Sequence, residues 1–193
     1  MVEKEEVRDQ IIEAARQIFS RYGFKKTTMD EIAHRVSKGK SSIYYYFQSK
    51  EDIYKAVIEK EATLIRDELT SAVSKANNPV DKLKTYVAVR MRTFYAMANF
   101  YEAIKNEFLT HLDFINKIRE KYDKEEMQMV ENFLKEGVHR NDFNLDNTEL
   151  AAVAIVTAMK GLEIPLIKYN NQLNLEERID HLLNILFYGI IRR

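Results

Sequence analysis

The chain has 193 residues, 46% of them hydrophobic and 31% charged, and its 30 lysines and arginines balance 30 aspartates and glutamates. That composition excludes a disordered polymer, and the zero net charge means bulk charge gives no argument for a polyanionic partner. Cysteine is absent, which excludes disulfides and thiolate chemistry and fits a reducing cytoplasm. The opening MVEKEEVRDQ lacks the apolar segment of a signal peptide, so none is expected. No apolar run approaches ~18 residues, so no membrane span is expected. With two prolines, five glycines and no long period-two alternation, the pattern predicts an all-α protein.

Over Arg8–Tyr22 the apolar residues Ile11, Ile12, Ala14, Ala15, Ile18 and Phe19 fall at i, i+3, i+4, i+7 spacing, which predicts an amphipathic first helix. Gly23 sits where a helix-ending glycine belongs, and Phe24 is expected to fold back onto the helix. Thr28-Met29-Asp30-Glu31 has the form of a capping box, so a short second helix is predicted over Thr28–Val36, with Ile32, Ala33 and Val36 inward.

Ser37–Gly39 then makes a turn, and Lys40–Phe47 reads as another short helix with Ile43 and Phe47 facing the first two. Helical geometry leaves Lys40, Ser41, Ser42, Tyr44 and Tyr45 outward, with Tyr46 between the two faces. Three consecutive tyrosines cannot all enter one core. Either they form a half-buried face with hydroxyls in water, or an outside partner takes the rings. The surroundings favour the second reading. Between Arg21 and Lys50 the bases Arg21, Lys25, Lys26, Arg35, Lys38, Lys40 and Lys50 face only Asp30 and Glu31. Small serines at the start of this helix allow close approach to a groove, and helix N-termini favour phosphate. Helix, tight turn, helix with such a surface points to nucleic acid.

Ser49-Lys50-Glu51-Asp52 starts a long helix reaching about Lys75, with Ile53, Tyr54, Val57, Ile58, Leu64, Ile65 and Leu69 inward; Asn77-Asn78-Pro79 ends it. Beyond it, helical periodicity continues but aromatics and methionines crowd together. That set is either filled core or the wall of a cavity for an apolar or aromatic small molecule, and the pattern fits both. The candidate lining residues are Phe94, Tyr95, Phe100, Tyr101, Ile104, Phe108, Met127 and Met159. Gly137 and Asn141-Asp142 are expected to break the helix before Phe143.

The last stretch carries small residues on one helix and a broad apolar stripe on the next, with Pro165 expected to distort the former. It suits either internal core or a four-helix interface with a second copy, and the second is the expectation. Its residues would be Ala154, Ala158, Gly161, Ile179, Leu182, Leu183, Leu186 and Ile190.

Two segments, IIEAARQIFSRYGFKKTTMDEIAHRV and KGKSSIYYYFQSKEDI, resemble the DNA-binding region of the TetR family of bacterial regulators. Anchored on Tyr44–Phe47, Lys40-Ser41-Ser42 occupy the family's Lys-Gly-Thr. Ser37 stands where the family usually has a turn glycine, Lys38 where it has valine, and Gly39 where it has a capping serine. The resemblance implies an N-terminal three-helix helix-turn-helix domain over 1–50 and a larger helical effector-binding and dimerisation domain over 51–193, about nine helices in all. It further implies DNA contacts from Thr27, Thr28, Lys40, Ser41, Ser42, Tyr44, Tyr45 and Lys50, with base readout falling to Lys40, Ser42 and Tyr45. The expected partners are a double-stranded, near-palindromic operator, a second copy of the chain and a small-molecule effector. An architectural DNA-binding protein of the same fold without an effector is the alternative.

Nothing in the sequence points to an enzyme. His34, His111, His139 and His181 lack metal-ligand spacing, and there is no glycine-rich phosphate loop or nucleophile arrangement. No cofactor is expected.

Overall fold

The computed structural model describes residues 2–100, 112–168 and 174–189, and every regular element among them is an α-helix. There are eight: α1 Val2–Lys26, α2 Met29–Arg35, α3 Lys40–Tyr46, α4 Lys50–Val73, α5 Pro79–Phe100, α6 Leu112–His139, α7 Thr148–Lys168 and α8 Leu175–Tyr188. They sort into two compact units, and one boundary between the units falls inside α4, between Thr63 and Leu64.

The first unit is built on one apolar cluster. Ile11, Ile12, Ala15 and Phe19 of α1, Met29, Ile32 and Ala33 of α2, Ile43 of α3, Phe47, and Ile53, Tyr54, Ala56 and Val57 of α4 are all buried together. Gly23, at φ 80° and ψ 167°, breaks the helical path of α1, a backbone state in which a side chain would be strained. The break turns Phe24 back, so that its ring lies 5.8 Å from Phe19 and 4.8 Å from Tyr54, as the sequence suggests. The predicted capping box forms at α2. The Thr28 hydroxyl accepts from the Glu31 amide at 3.2 Å, and the Glu31 carboxylate accepts from the Thr28 amide at 2.7 Å.

The turn between α2 and α3 is a Schellman motif. The Ser37 amide donates to the His34 carbonyl at 3.1 Å and the Lys38 amide to the Ala33 carbonyl at 3.0 Å. The residue that must turn left-handed is Ser37, at φ 54°, in the place where glycine is the easier choice.

Helix α4 begins with Ser49, whose hydroxyl accepts from the Asp52 amide at 3.1 Å. Two ionic ties then bind α4 to α1. Arg16 donates to the buried carboxylate of Glu61, and Lys60 reaches Glu13 at 3.3 Å. Burial works against the charged form of Glu13, but Lys60 and Arg16 outweigh it and hold the carboxyl below its usual range. One expectation fails on this helix: Leu64 is exposed, not inward.

In the second unit the helix starts share one device. Asn78, Asn147 and Asn174 accept from the amides of Asp81, Leu150 and Glu176 to cap α5, α7 and α8. Gly137 does not break α6, which continues to His139. The break comes at Asn141 (φ 61°), in a second Schellman motif. The ring of Phe143 lies so close to Gly137 that a methyl group there would meet it at 2.0 Å. Helix α7 runs through Pro165 to Lys168.

Replacing Ser37 with glycine is expected to raise stability by about 0.5–1 kcal/mol, the left-handed penalty relieved less the extra chain entropy. Urea unfolding of S37G beside the parent chain measures it; an unchanged or lower midpoint would remove the strain assigned to this turn.

Candidate functional site

A helix as short as α3 presents whatever its single buried face leaves outside. Ile43 is fully buried and Phe47 nearly so, and the opposite side displays Lys40, Ser41, Tyr44 and Tyr45 to solvent, with Ser42 half-buried. Tyr45 is 68% exposed and Tyr44 45%. Two phenol rings standing that far from their own core can cover base edges or phosphates at little cost in folding.

Lys40 is exposed but paired: its ammonium lies 2.8 Å from Asp30, and that hydrogen bond and charge hold it above its ordinary pKa range. An exposed pair of this kind is weak, so an anion or a guanine edge can compete for the lysine. Gly39 caps α3 without any side-chain hydrogen bond.

Three other candidate contacts are occupied within the chain. Thr27 is buried and its hydroxyl donates to the Gly23 carbonyl at 2.7 Å, so that side chain faces the core. The Thr28 hydroxyl is engaged with Glu31 in the capping box. Lys50 donates to the carbonyls of Phe24 and Thr27 at 2.8 and 2.9 Å while its ammonium sits 4.3 Å from the Phe24 ring centroid. It satisfies carbonyls that the break at Gly23 would leave without helical partners, a structural task.

The sequence reading missed two residues that flank this surface. Because α1 begins at Val2 and not at Arg8, Lys4 reaches over the Tyr45 ring at 4.7 Å and Arg8 over Phe47 at 5.0 Å. Their spacing of four on one helix was the available signal, but nothing local tells which aromatic each meets.

The second unit holds a buried charge cluster that was also missed. Arg90, 3% exposed, donates to Glu126 and, at 2.9 Å, to Glu163, while the Tyr86 hydroxyl donates to Glu126 at 2.6 Å. Burial disfavours the Arg90 cation, but the two carboxylates outweigh it and hold it protonated. Burial, with the charge of Glu126 beside it, pushes the Tyr86 hydroxyl well above the tyrosine range. Arg90 falls on the stripe shared by Tyr86, Val87, Met91 and Phe94, a position that the periodicity marks as inward.

Of the lining candidates, Phe94 and Met159 are buried and Tyr95 and Met127 half-buried. The side chain of Phe100, and residues Tyr101, Ile104, Phe108 and Ile190, lie outside the described residues. Ile179 is 1% exposed within a single chain, so it is core and not available to a second copy. Leu182, Leu183 and Leu186 are half-buried, while Ala154, Ala158 and Gly161 are exposed. Leu150 and Val153 extend that α7 stripe, and Ile185 and Tyr188, the latter 73% exposed, stand out on α8. Among the described residues no cluster of His, Asp or Glu is arranged to hold a metal ion, and no helix is long and apolar enough to cross a membrane.

Residues 11–57 match the family of bacterial regulatory proteins described as the tetR family. The HTH-type transcriptional regulator QacR of Staphylococcus aureus is 23% identical over 179 residues, covering 90% of each chain. The biofilm operon icaADBC negative transcriptional regulator IcaR of the same species is 32% identical over 81 residues, 42% of this chain and 44% of that one. Among solved structures, the fatty acid degradation regulator FadR from Bacillus halodurans matches with a TM-score of 0.77 at 23% identity, over 96% of this chain and 97% of that one.

Replacing Arg90 with methionine leaves the buried carboxylate of Glu163 and the half-buried one of Glu126 without their shared cation. The variant is expected to lose about 3–5 kcal/mol of stability in denaturant unfolding. A loss under about 1 kcal/mol would show the cluster to be more solvated than its burial indicates.

Proposed function

We propose that this chain, whose residues 11–57 match the tetR family of bacterial regulatory proteins, is a homodimeric transcriptional repressor of that family and not an enzyme. It reads a near-palindromic operator with α3 and releases it when a small apolar or aromatic effector binds the second unit. The observation that carries the DNA-reading part is the exposed face of α3, where Lys40, Ser41, Tyr44 and Tyr45 stand outward on a helix fixed from behind by Ile43 and Phe47. Lysine suits the guanine O6 and N7 acceptors, and a phenol ring covers a thymine methyl. With the Thr27 and Lys50 side chains engaged inside the chain, base and phosphate contacts concentrate on α3. Repression is favoured by IcaR, a negative regulator by name. The labour divides between 1–50 for DNA and 51–193 for effector and dimer. The protein works in the cytoplasm, which suits a chain without cysteine.

The dimer reading rests on α7 and α8. Leu150, Val153, Ala154, Ala158 and Gly161 recur at helical spacing on the exposed side of α7, and a methyl group added at Gly161 would meet nothing within 4 Å. Small residues along such a stripe let a second helix approach closely, and Ile185 and Tyr188 extend the apolar area on α8. The effector region is assigned to the α5–α7 segment around Phe94, Tyr95, Met127 and Met159. For release, the effector must bind more tightly to the arrangement whose α3 separation mismatches the half-sites.

A nuclease footprint upstream of the protein's own gene, repeated across a salt series, tests the DNA reading. A two-fold symmetric protected site is expected, with affinity falling steeply with salt because each phosphate contact releases counterions. Lys40→Ala and Tyr45→Ala are each expected to weaken that site by about 1–3 kcal/mol with circular dichroism unchanged. Full affinity in both variants would take α3 out of base readout. Ala158→Arg is expected to turn a dimer into a folded monomer in sedimentation velocity, and a surviving dimer would move the interface off α7.

A further inference from the structure

The start of α1 lies against the reading face of α3, and the contact is made by cations on rings. Lys4 and Arg8 are one helical turn apart, so they project from one side of α1. Lys4 covers the ring of Tyr45 and Arg8 that of Phe47, at 4.7 and 5.0 Å from the centroids. Phe47 is buried and Arg8 simply caps it. Tyr45 is different: it is the most exposed ring on α3, at 68%. The Lys4 ammonium lies over its ring, and the half-buried ring of Tyr46 stands at 90° to it with centroids 5.1 Å apart.

A solvent-exposed tyrosine samples several staggered rotamers, and docking on DNA then costs the entropy of selecting one. A cation over the ring face and an edge-to-face neighbour choose that rotamer beforehand. With 68% of Tyr45 still exposed, the ring remains available to the groove. We propose that Lys4 is a positioning residue for base readout, holding the Tyr45 ring in the orientation it presents to DNA and so setting the base preference at the position Tyr45 covers. The inference deepens the DNA-binding reading above and rests on it.

An exposed cation–ring contact of this kind corresponds to about two- to five-fold in affinity. The full-length chain and its Lys4→Met, Lys4→Arg, Tyr45→Ala and Lys4→Met/Tyr45→Ala variants are each used to select from a randomised duplex library. Each is then titrated on the parent's preferred duplex over a salt series. Lys4→Met is expected to relax the preference at the same base-pair position as Tyr45→Ala, to weaken binding about two- to five-fold, and to leave the salt slope unchanged. Lys4→Arg restores both preference and affinity, and the double variant binds no worse than Tyr45→Ala alone.

Three results would overturn the proposal. One is an unchanged preference profile in Lys4→Met. Another is a uniform loss with the salt slope reduced by about one, which marks a phosphate contact only. The third is additive losses in the double variant. A parent chain that selects no sequence at all would instead overturn the DNA-binding reading, and the proposal with it. Because Lys4 is exposed, an unchanged thermal midpoint is expected for every Lys4 variant and separates these outcomes from misfolding.

Discussion

A seven-residue helix cannot hold itself together in water, since the cost of its first turn outweighs the few hydrogen bonds that follow. Helix α3 therefore exists because Ile43, with Phe47 just beyond its end, is inserted into a core supplied by α1, α2 and α4. That constraint sets the orientation of everything α3 displays. Turning the helix by one residue, about 100°, would carry Ile43 out of the core, so the outward set of Lys40, Ser41, Tyr44 and Tyr45 is fixed by what lies behind it. The short helix α2 is held in the same way, by Ile32 and Ala33 inside and by the reciprocal cap of Thr28 and Glu31 at its start.

Polar groups follow a matching logic in both units. Where the chain departs from helix it leaves carbonyls that need donors, and the Lys50 ammonium donates one hydrogen bond each to the carbonyls of Phe24 and Thr27. In the second unit Arg90 does for carboxylates what Lys50 does for carbonyls, with its planar fork reaching Glu126 on one side and Glu163 on the other. Each is a cation that looks like a surface residue in a composition count and is used as an internal fastener.

What could be read from the sequence was local. The capping box, the glycine break at Gly23 and the return of Phe24 follow from spacings of a few residues, and the core face of α3 follows from one helical turn. The helical fold and its regulator-like head were legible for the same reason. What escaped depends on which distant surface a residue meets. Periodicity marks an apolar stripe on α8, yet cannot say that Ile179 packs inside its own chain while Ile185 and Tyr188 do not. Leu64 fits the apolar pattern of α4 yet stands exposed, while Leu69 and Val73 further along the helix are buried. Thr27 and Lys50 match family positions, but Gly23 and the carbonyls near it claim their polar atoms first.

The fastenings along α4 have a mechanical meaning. Lys50 ties the first residue of the helix to the corner between α1 and α2, and three turns later Lys60 and Glu61 are tied to Glu13 and Arg16. Between those two ties, Ile53, Tyr54, Ala56 and Val57 are buried in the common core. The first three turns of α4 thus belong to the head as a handle belongs to a key. Those first turns and the helix that carries Tyr45 therefore share one packed core, with Ile43 and Ile53 buried in the same cluster.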